Sequence, residues 1–339
     1  LSVLFIFSKK VANRSIQVYT VPMNKILIAV IALLVIGGGA FLFLNSSGSK
    51  SDYKAEPNES TAQQQEDRIP VEADGGIGDG AESLDEVLAE EVGPVEVIGS
   101  SVEDRAITAY HFGEGEKEVL FVGGLHGGYS WNTSLLAYEL VSYLEGNPQA
   151  VPEGVKVTVI PAVNPDGLFD VTGKEGLFVK NDVSGSAVEK VAARFNANDV
   201  DLNRNFNCLW EEKGTWKSQS VSGGSSPFSE PESAAVRDYV ESHDLSAVVT
   251  WYAAAGGVYT SNCNNGVLPE TIALTNVYAD ESGYTANEEF DFYEVTGDMV
   301  NWLAAKKIPA ISVLLTDREN AEWSKNKAGI EAVLKHIAG

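Results

Sequence analysis

From residue 95 onward, short apolar runs alternate with stretches of helical periodicity, and this alternation restricts the fold more than any other feature of the chain. Residues 95–101 and 106–112 read as strands joined by a turn. Residues 119–124 form a buried-strand run closed by glycines, and 155–163 a strand ending in the turn signal Asn-Pro-Asp-Gly. Two more buried strands follow at 247–252 and 309–315. Between them, residues 132–144 set Leu135, Leu136, Leu140 and Tyr143 on one helical face. Ser229 is placed to cap a helix with Pro231 in its first turn, running to about Ser242. Residues 299–306 and 327–337 read as further helices. The expected fold is α/β: a mixed or largely parallel central sheet covered by helices on both faces, with any site at the carboxyl ends of its strands.

The first quarter of the chain has a different character. Residues 26–44 carry no charge and are long enough to cross a hydrocarbon core of ~30 Å as a helix. Lys9, Lys10, Arg14 and Lys25 precede this run and no basic residue follows until Lys50, so residues 1–25 are expected in the cytoplasm and the rest outside. An uncleaved anchor fits better than a cleaved signal peptide, because no small-x-small site closely follows a short apolar core. Met23 offers a more compact start, which leaves 1–22 open as untranslated upstream sequence. Residues 45–93 are acidic and polar, with little apolar surface to offset ordering, and read as a flexible linker to a domain spanning 94–339. The net charge of -24 excludes nucleic acid as a partner. The two cysteines, Cys208 and Cys263, lie outside the membrane on this reading; an even count in an oxidising compartment suggests one disulfide, the alternative being two free buried thiols.

Between residues 119 and 320 the motifs GGLHGG, NPDG, DLNRNF, SEPES and VTGDMVNWL occur in that order. None is decisive alone. As an ordered set they resemble the zinc carboxypeptidases of the carboxypeptidase A type, over essentially all of residues 95–339. The resemblance implies zinc as cofactor and removal of a C-terminal residue from a peptide as the parent reaction. It also assigns positions. His126 matches a zinc ligand, and a glutamate should follow three or four residues later, where Tyr129 and Ser130 stand. Tyr252 occupies the place of the second histidine, and Leu314 that of the general-base glutamate. A neutral hydroxyl is a poor zinc donor and leucine accepts no proton. The other histidines, His111, His243 and His336, fall outside the matched motifs, and nothing places Glu139 at a metal.

The organic half of the expected site is intact. By resemblance Arg194 stabilises an oxyanion, while Asn203 and Arg204 grip a terminal carboxylate, a task suited to the forked guanidinium. Asp201 matches the carboxylate that orients the first histidine. Tyr293 matches a mobile tyrosine that closes over substrate, and Val300 lies where the side-chain pocket is shaped. Two expectations follow. The chain is expected to be a catalytically impaired relative that does not bind zinc, still able to bind peptides with a free C-terminal carboxylate or peptidoglycan stem peptides. The arginine clamp should also stand open to the cleft. The rivals are a working peptidase with a rearranged metal site, and a scaffold domain with an empty cleft.

Overall fold

The computed structural model describes residues 2–4, 20–22 and 95–339. The chain divides into two units, Leu1–Asp79 and Gly80–Gly339. Within the first, strands β1 (Ser2–Leu4) and β2 (Thr20–Pro22) pair antiparallel. The expected anchor at 26–44 and linker at 45–93 lie outside the described residues.

The second unit is built on an eight-stranded mixed sheet. Its strands are β3 (Val95–Ser100), β4 (Ala106–Phe112), β5 (Lys117–Val122), β6 (Val155–Ile160), β9 (Leu245–Ala253), β10 (Gly257–Thr260), β11 (Thr285–Asn287) and β12 (Ala310–Leu315). They lie in the order β11-β10-β12-β9-β5-β6-β4-β3. The four central strands β12, β9, β5 and β6 run parallel, and β4 and β10 flank them antiparallel. Parallel strands buried on both faces read as continuous apolar runs, as in Val119, Leu120, Phe121 and Val122 of β5, all fully buried.

Side chains alternate across the sheet and divide the core in two. Ala247, Val249 and Trp251 of β9 face one layer, packed with Leu136, Leu140 and Leu144 of α1 (Trp131–Gly146), Leu274 and Tyr278 of α5 (Pro269–Ser282), and Ile330 and Val333 of α7 (Trp323–Ala338). Val248 and Tyr252 face the other, with Val236 and Val240 of α4 (Pro231–Ser242) and with Val300, Trp302 and Leu303 of α6 (Met299–Ala305). Helices therefore cover both faces, as expected, and Trp251 and Trp302 belong to the core.

Two local readings need correction, and one short helix was not anticipated. Asn-Pro-Asp-Gly opens a helix, α2 (Pro165–Thr172), rather than a simple turn. Asn164 is its N-cap and accepts from the Gly167 amide, and Pro165 fills the first turn, where no amide is needed. Glu230, not Ser229, is the N-cap of α4, and Ser229 Oγ instead accepts from the Asn205 side chain and donates to Glu230. Residues 187–192 form a further short helix, α3 (Ala187–Ala192), capped by Ser186.

Cys208 and Cys263 form a disulfide with their Cα atoms 5.9 Å apart. It closes a span of 55 residues that contains α4 and β9, and ties the segment after DLNRNF to the loop after β10. By loop-closure entropy, replacing both cysteines by alanine should cost about 2–4 kcal/mol. Urea unfolding followed by tryptophan fluorescence measures this, and unchanged midpoints would show that the bridge contributes nothing.

Candidate functional site

The motif residues gather where the central strands end. His126 follows β5 and is the N-cap of a buried 3-10 turn, Gly127–Ser130, that leads directly into α1. Tyr252 and Leu314 are register partners near the ends of the parallel strands β9 and β12. Asp201 caps the short 3-10 helix Leu202–Arg204 by accepting from the Asn203 amide.

Asp201 organises the floor. Its Oδ2 accepts from Arg194 Nε at 3.0 Å and Nη2 at 2.7 Å, and its Oδ1 lies 3.5 Å from His126 Nε2. Burial alone would raise the Asp201 pKa, but the Arg194 guanidinium and His126 overcome it and hold the carboxyl well below the usual range. His126 is shifted the other way: burial, helped by Arg194, lowers its pKa to about 4, so the imidazole is neutral at neutral pH. Neither of its ring nitrogens has a hydrogen-bond partner, and Ser130 Oγ is likewise buried and unpartnered.

The donor set around His126 does not fit zinc. Its ring is 5.6 Å from that of Tyr252, whose hydroxyl donates to Asn203 Oδ1 at 3.2 Å. Burial pushes the Tyr252 pKa well above 10, so it stays a neutral phenol. Leu314 is packed in the apolar layer against α4 and α6. Asp201 is committed to Arg194. Among the described residues, no three His, Cys, Asp or Glu side chains converge as a metal site. His111 bonds Thr158 and Glu96 inside the sheet, His243 stacks on Tyr239, His336 is exposed on α7, and Glu139 is half-buried on α1; none joins His126.

Asn203 and Arg204, expected to stand open as a carboxylate clamp, are turned inward. Arg204 is only 1% exposed. Its Nε and Nη2 donate to the Thr215 carbonyl at 3.2 and 2.7 Å, and Nη1 donates to the Asn203 carbonyl at 2.6 Å. Thr215 belongs to a hairpin of β7 (Lys213–Trp216) and β8 (Gln219–Ser222) that lies over the guanidinium. Two glycines permit this approach. A Cβ at Gly214 would lie 2.7 Å from Arg204 Cδ, and one at Gly297, where φ is +63°, would lie 2.1 Å from the Arg204 carbonyl oxygen. The Asn203 side chain is also turned inward: Oδ1 accepts from Tyr252 and the Met299 amide, and Nδ2 donates to Asp298 at 2.8 Å. Val300 is buried in the α6 layer. Tyr293 is partly exposed, with its ring centroid 5.9 Å from the Arg204 guanidinium.

Above this floor is a cluster that no motif announced. Tyr129, at one of the two glutamate positions, packs edge-on against Trp216 at 5.1 Å. Arg318 lies 4.4 Å from the Tyr129 centroid, Arg194 5.6 Å and Lys217 Nζ 5.9 Å, and Lys217 also donates to the Tyr129 hydroxyl at 3.2 Å. Trp216 stacks on Arg194 at 4.4 Å. The available signal was position: Arg318 lies in the loop just after β12, the strand that carries Leu314, and Lys217 sits in the tip of a short hairpin. A separate cavity of about 200 Å³, lined by Arg105, Tyr110, Tyr138 and Lys174, shares none of these residues.

A sequence model of the zinc carboxypeptidase family matches residues 83–331, most of the chain. The chain belongs to the zinc carboxypeptidase family. Solved structures agree at the level of fold. Bovine thrombin-activatable fibrinolysis inhibitor, in complex with tick carboxypeptidase inhibitor, superimposes with a TM-score of 0.57 at 19% identity, over 74% of this chain and 93% of that one. Carboxypeptidase A from Helicoverpa armigera gives 0.54 at 20% identity, over 73% and 69%. The murein-tripeptide amidase MpaA from Escherichia coli O157 gives 0.52 at 19% identity, over 74% and 94%. No curated protein sequence matches the chain. In this chain His126, Arg194, Asp201, Asn203 and Arg204 lie buried near the ends of the central strands, with the Tyr252 phenol and the Leu314 side chain beside them.

Proposed function

We propose that this carboxypeptidase-family domain is catalytically impaired and serves as a receptor for peptide carboxylates outside the cell, held by an N-terminal membrane anchor and an acidic tether. The parent chemistry needs a metal to polarise the carbonyl and activate water, and a carboxylate to move protons. Tyr252, Ser130 and Leu314 supply neither. The observation that carries the binding half of the reading is charge. Arg194, Arg204, Arg318 and Lys217 crowd around Tyr129, Trp216 and Tyr293, yet among the described residues only Arg194 has a carboxylate within 4 Å. Partly desolvated cations without acidic partners favour an anionic ligand. Peptides with a free C-terminal carboxylate fit this need, and the fold likeness to a murein-tripeptide amidase supports peptidoglycan stem peptides as one class to test.

One observation favours the scaffold alternative: Arg204 and Asn203 have their hydrogen bonds satisfied inside the protein. Calorimetry separates the two readings. N-acetyl-trialanine as the free acid should bind residues 93–339 at least about tenfold more tightly than its amide, the scale of one charge-assisted hydrogen bond. Equal affinity for the two, or binding of neither, leaves the scaffold reading standing.

A further inference from the structure

Four cations gather around Tyr129, Trp216 and Tyr293, but they are not equivalent. Arg194 is paired with Asp201 and 2% exposed, and Arg204 is enclosed under the β7–β8 hairpin with its donors on two main-chain oxygens. Neither can turn toward a ligand without leaving a buried partner unsatisfied. Arg318 and Lys217 are different. Arg318 is partly exposed; its Nη2 donates to the Ala253 carbonyl at 2.9 Å, while its Nε is buried with no partner. Its pKa is lowered, first by burial and also by the nearby Arg194, the direction expected of a guanidinium short of negative charge. Lys217 is exposed at the hairpin tip and makes one hydrogen bond, to the Tyr129 hydroxyl.

Lys217 also has an unusual backbone. Its φ is +56°, a left-handed conformation that a tight hairpin turn normally gives to glycine, asparagine or aspartate. A lysine there accepts strain that asparagine would avoid, and its ammonium folds back over Trp216 at 5.1 Å instead of extending into solvent. Arg318 and Lys217 thus approach one ring, Tyr129, from two separate loops.

We infer that Arg318 and Lys217, gathered on Tyr129, form the carboxylate-binding pair of this cleft, in place of Arg204. The ligand class is a peptide end carrying a free carboxylate, which the Arg318 fork accepts through its unused donors while the Lys217 ammonium adds a second, mobile positive charge. The aromatic walls of Tyr129, Trp216 and Tyr293 then flank the ligand backbone. This inference rests on the receptor reading above.

The test is calorimetry of N-acetyl-trialanine, as acid and as amide, on the unmodified domain, on Arg318→Gln and on Lys217→Asn. Asparagine suits the left-handed turn, so Lys217→Asn removes the charge while keeping the hairpin, and it decides the matter if Arg318→Gln fails to fold. The expected result is a preference for the acid of at least about tenfold in the unmodified domain, reduced at least about tenfold in each variant, with affinity for the amide unchanged. A clear acid preference that survives in both variants would overturn the inference and leave the receptor reading intact. No acid preference in the unmodified domain would overturn both.

Discussion

Arg204→Ala is expected to destabilise the domain by about 3–5 kcal/mol, because it removes three charge-assisted hydrogen bonds and opens a cavity beneath a hairpin. The Thr215 and Asn203 carbonyls would lose their guanidinium partner in a region where the side chain is nearly inaccessible to water. In a domain of this size the melting temperature should fall by roughly 10 °C, which circular dichroism on heating will read. On sequence reasoning this arginine grips the ligand, so its loss should abolish binding and spare the fold. The geometry predicts the opposite order of effects. An Arg204→Ala variant that melts with the unmodified protein but no longer binds free-acid peptide would return Arg204 to the clamp.

The second large effect concerns metal. After dialysis the unmodified domain should hold far less than one zinc per chain, while the combined variant Ser130→Glu, Tyr252→His and Leu314→Glu should bind zinc at micromolar or better affinity, about 8 kcal/mol. The Tyr252 ring lies 5.6 Å from His126, so an imidazole there points into the same space, and Ser130 Oγ is already buried without a partner. Activity should lag behind binding. Catalytic groups act as a unit, and Arg194 remains tied to Asp201. Atomic emission on dialysed samples gives the readout. Stoichiometric zinc in the unmodified protein would favour the rearranged metal site, and a folded triple variant without zinc would show that these positions do not converge.

The central strands and the flanking helices α1, α4, α6 and α7 were legible in the sequence because their periodicity is strong and their burial continuous. Helix α5 was not, since it buries Thr271, Thr275 and Ser282 along with its leucine and tyrosine, which blurs the apolar stripe. Helix α2 was read as a turn because the Asn-Pro pair that starts a turn also starts a helix. Motif order named the candidate site residues, and the structure brings His126, Arg194, Asp201, Asn203 and Arg204 together. Their working state was not legible. Whether Arg204 faces a ligand or a carbonyl depends on Thr215, Gly214 and Gly297, which no local pattern connects to it. Arg318 and Lys217 were invisible for the same reason, since their relation to Tyr129 exists only once β12 and the β7–β8 hairpin are in place.

The partners of Arg204 carry a consequence for how such a chain drifts. Main-chain oxygens are present whatever side chain occupies their residue, so substitutions at Thr215 leave the acceptor in place. The narrow requirement falls on the small residues that admit the backbone, Gly214 and Gly297, rather than on acidic neighbours. A signature arginine held in this way is maintained by selection for a folded domain alone. Its presence in DLNRNF is therefore evidence of ancestry and of packing, and a relative that has abandoned hydrolysis can display the family signature unchanged for as long as it needs the hairpin.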